Sequence, residues 1–198
     1  MLQAKPRFAT FEEYFEWSND HADHVRYELI DGELIELPPE AEPNTAIAHF
    51  LFLNLVQAGV PFRMIKLYQC EIQVRALQPK DAQNRYPDLV VLREEHLALT
   101  QKRLTIKLDM PPPQLVVEVV SPGTAASERD YGRKRAQYAN IGISEYWIID
   151  PKAQVVTVLA LGQGVYVEVG MFRGDDAITS PTFPELRLTP EEVFASAA

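Results

Sequence analysis

The residues best placed to do chemistry in this chain are two carboxylates and one amine: Asp88, Glu118 and Lys134. Asp88 opens the apolar run PDLVVL, and Glu118 lies inside LVVEVV. A charged carboxylate in a valine-rich strand is costly to desolvate unless it meets a cation or several donors. Taken singly, Glu118 has a lesser reading as half of a salt bridge, and Asp88, behind a proline, reads equally as a turn or capping residue. Taken together, they suit a hard divalent cation, which prefers oxygen ligands and keeps some water for chemistry. The amine comes from a helix expected from about Ala126 to Ile141. At about 100° per residue, Asp130, Lys134, Gln137, Tyr138 and Ile141 share one of its faces. Lys134 can therefore pair with Asp130 or reach across to Glu118. Arg129 and Arg133 line an adjacent edge and Arg135 another, the densest positive charge in the sequence. That edge reads either as a solvated face or as cations presented to a phosphate.

Further positions carry weaker signals. Glu28 falls on the inner side of an expected hairpin, an odd place for a solvated acid. His49 sits on an amphipathic helix, as a core histidine or as a ligand. Tyr138 either packs the core or holds the lysine. His21 and His24 have helical metal spacing but lie in a polar link. Tyr146 and Trp147 read as sheet packing.

The elements that must position these groups alternate along the chain. Thr10 caps a helix from Phe11 to about Ser18, with Glu12 and Glu13 in its first turn. RYELIDGELIEL is a hairpin, because Asp31-Gly32 supplies the positive φ angles of a type I′ turn. Asn44 or Thr45 caps a second helix through about Ala58, with apolar residues at helical spacing. Strands are expected at Met64–Val74, Pro87–Leu92 and Leu104–Leu108. LVVEVV is a strand buried on both faces, and Ser121-Pro122-Gly123 turns the chain into the lysine-bearing helix, closed by Gly142. GISEYWIIDP is a strand, Val155–Leu161 and Val165–Val169 form a closing hairpin, and Thr189-Pro190 opens a last short helix. The class is α/β or α+β, built on a mixed sheet.

Composition bounds the rest. The chain has 198 residues, 46% of them hydrophobic, which fits one soluble domain spanning residues 1–198. One cysteine, Cys70, reads as a buried apolar side chain and makes no internal disulfide. No leader-like segment and no membrane span is apparent, so the expected location is the cytoplasm. The net charge of −9 opposes tight, non-specific binding of a polyanion, which calls for a basic footprint.

YPDLVVL followed by LVVEVVSPGTAASERDYGRKRAQYANIGISEYWIIDP resembles the Uma-type restriction endonuclease family, a branch of the PD-(D/E)XK nuclease superfamily. The likeness extends upstream to RYELIDGELIELPP and His49, and downstream through the closing hairpin. The pair PD is weak alone. The combined string EVVSPGT, D-x-x-x-K-x-x-x-Y and GISEYWIIDP at this spacing is highly specific. The resemblance implies a restriction-endonuclease-like fold, a mixed β-sheet core flanked by helices, with an N-terminal and a C-terminal hairpin. It implies a Mg²⁺-dependent (or Mn²⁺-dependent) endonuclease acting on DNA, with Asp88, Glu118 and the Val119 carbonyl as metal ligands. The superfamily pattern places lysine two residues after the glutamate, where this sequence has Val120. Lys134 stands at the family position of a lysine moved to the following helix, to orient or deprotonate the attacking water and offset charge on phosphorus. Glu28, His49 and Tyr138 become auxiliary residues, and Arg129 and Arg133 substrate-binding ones. Cutting both strands of a duplex favours a homodimer. The rival reading is a catalytically silent interaction or nucleic-acid-binding domain on the same fold, and a third is an RNA or nucleotide phosphodiesterase.

Overall fold

The structure is a computed structural model and describes residues 6–20, 25–121 and 129–198. The first helix, α1 (Phe11–Asp20), begins as its sequence dictates: the Glu13 amide donates to Thr10 Oγ1 (3.2 Å) and the Ala9 amide to Glu13 Oε2 (2.8 Å). Strands β1 (Tyr27–Ile30) and β2 (Glu33–Glu36) form the expected hairpin, with φ of 48° at Asp31 and 82° at Gly32. The glycine is needed for room as well as for φ, because a Cβ there would stand 2.9 Å from the Phe8 carbonyl oxygen. Phe8, Phe11, Tyr14, Leu29 and Leu34 fill the space between helix and hairpin.

Helix α2 (Glu42–Gln57) starts earlier than its polar residues suggest. Pro43 occupies the first turn, where its missing N–H costs nothing. Asn44 is therefore buried inside the helix, not capping it, and its Nδ2 donates to Ser121 Oγ (3.4 Å). The expected strand from Met64 to Val74 is two strands in two sheets: β3 (Ile65–Leu67) and β4 (Glu71–Gln73). The break is Tyr68, at a φ of 59°, a conformation no bulky side chain favours. A short strand β5 (Asn84–Arg85) and helix α3 (Glu94–Leu99) were not anticipated.

The main sheet has six strands in the order β11-β10-β9-β8-β6-β3. They are β3, β6 (Leu89–Val91), β8 (Leu115–Val119), β9 (Glu145–Asp150), β10 (Val155–Gly162) and β11 (Val165–Phe172). Only β8 and β9 run parallel; the other pairs are antiparallel. A second sheet joins β5, β4 and β7 (Thr105–Ile106). All five residues of β8 are buried, Glu118 with the four apolar ones, as a strand covered on both faces requires. Parallel neighbours need a crossover, and here it carries a π-helical segment (Arg129–Lys134) followed by α4 (Arg135–Asn140). The expected helix is thus present where described, with a wider turn over Arg129–Lys134. Its start at Ala126, and the Pro122-Gly123 turn, lie outside the described residues. The chain ends with α5 (Pro190–Ala195), capped reciprocally by Thr189 and Glu192. Among the described residues, no helix is long and apolar enough to cross a membrane.

Candidate active site

Strand register brings the two carboxylates together. β6 pairs with β8 so that Leu89 faces Val117, and continuing that register by one position sets Asp88 across from Glu118. Both are almost wholly buried, at 5% and 3% exposure. Asp88 Oδ2 accepts the Val119 amide at 2.6 Å, and the Asp88 carbonyl accepts the Tyr68 amide at 3.1 Å. The acid is thus fixed at both its side chain and its backbone.

The crossover helix closes the site from above. Lys134, 6% exposed, places Nζ 2.7 Å from Glu118 Oε2. The Tyr138 hydroxyl donates to Glu118 Oε1 at 2.6 Å. The 100° spacing put Lys134, Gln137 and Tyr138 on one face, and all three are buried. The wide turn ending at Lys134 fits a recurring association of π-helical turns with functional sites. Asp130, the other partner considered for Lys134, has a side chain outside the described residues.

Electrostatics follow from two acids sharing one buried space. Burial pushes the Asp88 carboxyl well above the usual carboxylate range, and the Glu118 charge pushes it further; Lys134 and the Val119 amide oppose the rise. Burial, then the Glu118 charge, also holds the Tyr138 phenol well above its ordinary value, so Tyr138 stays a proton donor to Glu118. Bound beside them, a divalent cation would offset the charge that Asp88 and Glu118 carry when both are ionised. The donor set fits a hard cation, since carboxylate oxygens and strand carbonyls are the ligands such ions take. Among the described residues no group of three or more His, Cys, Asp or Glu converges on a metal position. Backbone and water would therefore have to complete the shell.

The remaining sequence candidates fall in different places. Glu28 faces Ile35 across the hairpin, as expected, but its Oε2 meets Arg85 Nη1 at 3.0 Å, both side chains being buried. Arg85 in turn donates Nε and Nη2 to Gln137 Oε1 (3.0 and 2.8 Å), and Gln137 Nε2 donates to the Arg75 and Ala82 carbonyls (2.8 Å each). Glu28 is therefore joined to the trio through Arg85 and Gln137, the neighbour of Tyr138. His49 is exposed, not a core histidine, and its Nδ1 stands 2.7 Å from the Thr45 carbonyl oxygen. Arg133 is half-buried and pairs with Asp81 (2.9 Å) and the Pro79 carbonyl (3.2 Å), so its charge is engaged within the chain. Arg129 is half-buried and also has an interaction of its own. His21 and His24 lie outside the described residues. Tyr146 and Trp147 are buried sheet packing, and Cys70 is a buried thiol, as expected.

Sequence reasoning missed Arg85 and the role of Gln137. The available signals were a charge at the mouth of NRYPDLVVL and a glutamine on the same helix face as Lys134.

Comparison with known proteins follows the same lines. The family model described as "Uma2: Putative restriction endonuclease" matches residues 11–191. A crystal structure of a "putative nuclease belonging to DUF820" from Anabaena variabilis ATCC 29413 superposes with a TM-score of 0.62 at 19% identity. The match covers 87% of this chain and 91% of that one. At that identity the likeness speaks for the fold, and it agrees with the restriction-endonuclease-like sheet expected from the sequence. No curated protein matches the chain.

Proposed function

The chain belongs to the Uma2 family of putative restriction endonucleases, and from that premise we propose that it hydrolyses phosphodiester bonds of DNA at Asp88, Glu118 and Lys134. The observation that carries this reading is the buried 2.7 Å contact of Lys134 with Glu118, beside an acid whose proton affinity Glu118 raises. In this reading a lysine supplied by the crossover helix takes the part of the usual lysine, whose position holds Val120 here.

Asp88 and Glu118, with the Val119 carbonyl, would hold Mg²⁺ or Mn²⁺. When bound, such a cation lowers the pKa of water and offsets charge on the phosphoryl oxygens. Lys134 orients the attacking water and supplies a positive charge as negative charge builds on phosphorus. Tyr138 fixes the Glu118 carboxylate by donating to it, and the Val119 amide does the same for Asp88. Arg129 and Arg133 flank the helix as phosphate contacts, Arg133 by exchanging Asp81 for substrate. Glu28 acts at one remove, through Arg85. His49 is left as a solvent-facing auxiliary group. One domain over residues 1–198 and a homodimer, one site per strand of a duplex, complete the reading.

The test is a substrate panel of supercoiled plasmid, single-stranded DNA and RNA, with Mg²⁺, Mn²⁺ or chelator, on wild type and Asp88→Ala. Metal-dependent nicking of plasmid by wild type alone supports DNA as substrate. Cleavage of RNA but not DNA would move the assignment to a ribonuclease, and cleavage of nothing in any metal would leave the silent-domain reading standing.

A further inference from the structure

Helix α2 is apolar on two sides. Ile47, Ala48, Leu51 and Leu55 are buried against the main core. On the opposite side Ala46, His49, Leu53, Val56 and Gln57 recur at the three- and four-residue spacing of a helix-packing seam, with Phe50 at its border half-buried against the core. That outer side is uncovered: Leu53 is 56% exposed and Val56 36%. A helix apolar all round is normally covered all round.

Charge identifies what covers it. From Pro43 to Phe62 there is no Asp, Glu, Lys or Arg, the longest such run in a chain of net charge −9. Two copies of an acidic protein repel one another over most of their surfaces, and least where neither carries charge. The run is bounded by Glu42 at one end and Arg63 at the other, both exposed, and neither makes an ion pair among the described residues. Leu53 stands midway between them. Antiparallel pairing of the helix with itself would bring each Glu42 toward the partner's Arg63 end and oppose the helix dipoles favourably. The exposed apolar residues of β11 form no comparable surface: the register shift at Val158/Leu159 sets Val165 and Val167 on one face of the strand and Met171 on the other, the face of the exposed Glu168.

We propose that the outer face of α2 is the interface of a homodimer, two copies packing antiparallel about a twofold axis near Leu53. One face of a helix about 24 Å long and about 10 Å wide covers roughly 240 Å², well below the ~800 Å² per partner of a standard interface. The contact therefore extends onto Phe62, 65% exposed just beyond the helix. Around a twofold axis the same patch serves both copies, so the residue nearest the axis meets its own counterpart.

Sedimentation and cysteine cross-linking test this on the full chain. Wild type is expected to be a dimer at about 100 µM, a concentration that even weak interfaces populate. Leu53→Glu should be monomeric there while melting as wild type does. Leu53→Cys should form an inter-chain disulfide under mild oxidation, because the native Cys70 is fully buried, and Val167→Cys should not. Glu42→Arg should weaken the dimer several-fold, and the double variant with Arg63→Glu should restore it. A monomeric wild type at that concentration, a Leu53→Glu dimer, or cross-linking through Val167→Cys in place of Leu53→Cys would each overturn the proposal.

Discussion

Asp88 shows how a residue proposed for function can work against the fold that holds it. Its carboxyl is pushed above the carboxylate range by burial and by Glu118, so the folded chain holds the Asp88 proton to higher pH than the unfolded chain. Below both values the group is neutral in either state and carries no penalty. As pH rises, the unfolded chain ionises first and stability falls until the folded carboxyl has ionised too. Asp88→Asn keeps the acceptor for the Val119 amide and removes that charge. It should melt higher than wild type at neutral pH without divalent cations, read by calorimetry, while losing activity. Asp88 and Glu118 were legible in the sequence because a charge in an apolar strand demands a reason. Lys134 was legible as a member of a helix face and through the family string, but the face alone leaves the choice between Asp130 and Glu118 as its partner to a crossover that no local pattern encodes. Tyr68 gave no signal at all, since nothing in its neighbours announces the left-handed turn that ends β3.

At the scale of elements, the site depends on how the crossover helix is held to the two sheets. The buried chain Glu28–Arg85–Gln137 ties the N-terminal hairpin, β5 and the helix together. These partners are more than fifty positions apart in sequence, so periodicity could not show them. Arg85→Met would leave the Glu28 carboxylate buried without its cation, at a cost of about 3–5 kcal/mol, and loosen the helix that carries Lys134. Urea unfolding should register the loss, and Glu28→Gln added to Arg85→Met should recover part of it. A second element carries its own pH signature. His96, fully buried at the start of α3, accepts the Arg93 amide on Nδ1 (3.0 Å) and donates Nε2 to the Pro111 carbonyl (2.7 Å). Burial lowers its pKa from 6.5, so as pH falls through that value the unfolded chain takes up a proton before the folded one. Stability should therefore decline below about pH 6.5, and His96→Gln should flatten that part of the profile.

For the whole molecule, fold and family are clear from the sequence and the structure alike, because sheet order and the string from PDLVVL to WIIDP constrain each other. Substrate is less legible. With a net charge of −9, the proposed attraction to DNA has no general basic surface behind it and would have to be made locally, by the proposed cation and the arginines of one helix. Metal binding should then be visible as stability of the entire chain. At a hundredfold excess over its dissociation constant, an ion bound only by the folded state adds about 2.7 kcal/mol. Wild type should gain melting temperature with Mg²⁺ or Mn²⁺, less so at lower pH where protons compete at Asp88, and Asp88→Asn should gain none.

The most direct measurement is the rate of supercoiled-plasmid cleavage in Mg²⁺ and in Mn²⁺ by wild type and by Lys134→Ala, with both proteins confirmed folded. The account predicts metal-dependent cleavage by wild type and a loss of about 10²–10⁴-fold in the variant, the range associated with a positioned acid–base or charge-stabilising group. A variant that cuts as fast as wild type, or a wild type that leaves the plasmid intact in both metals, would contradict it.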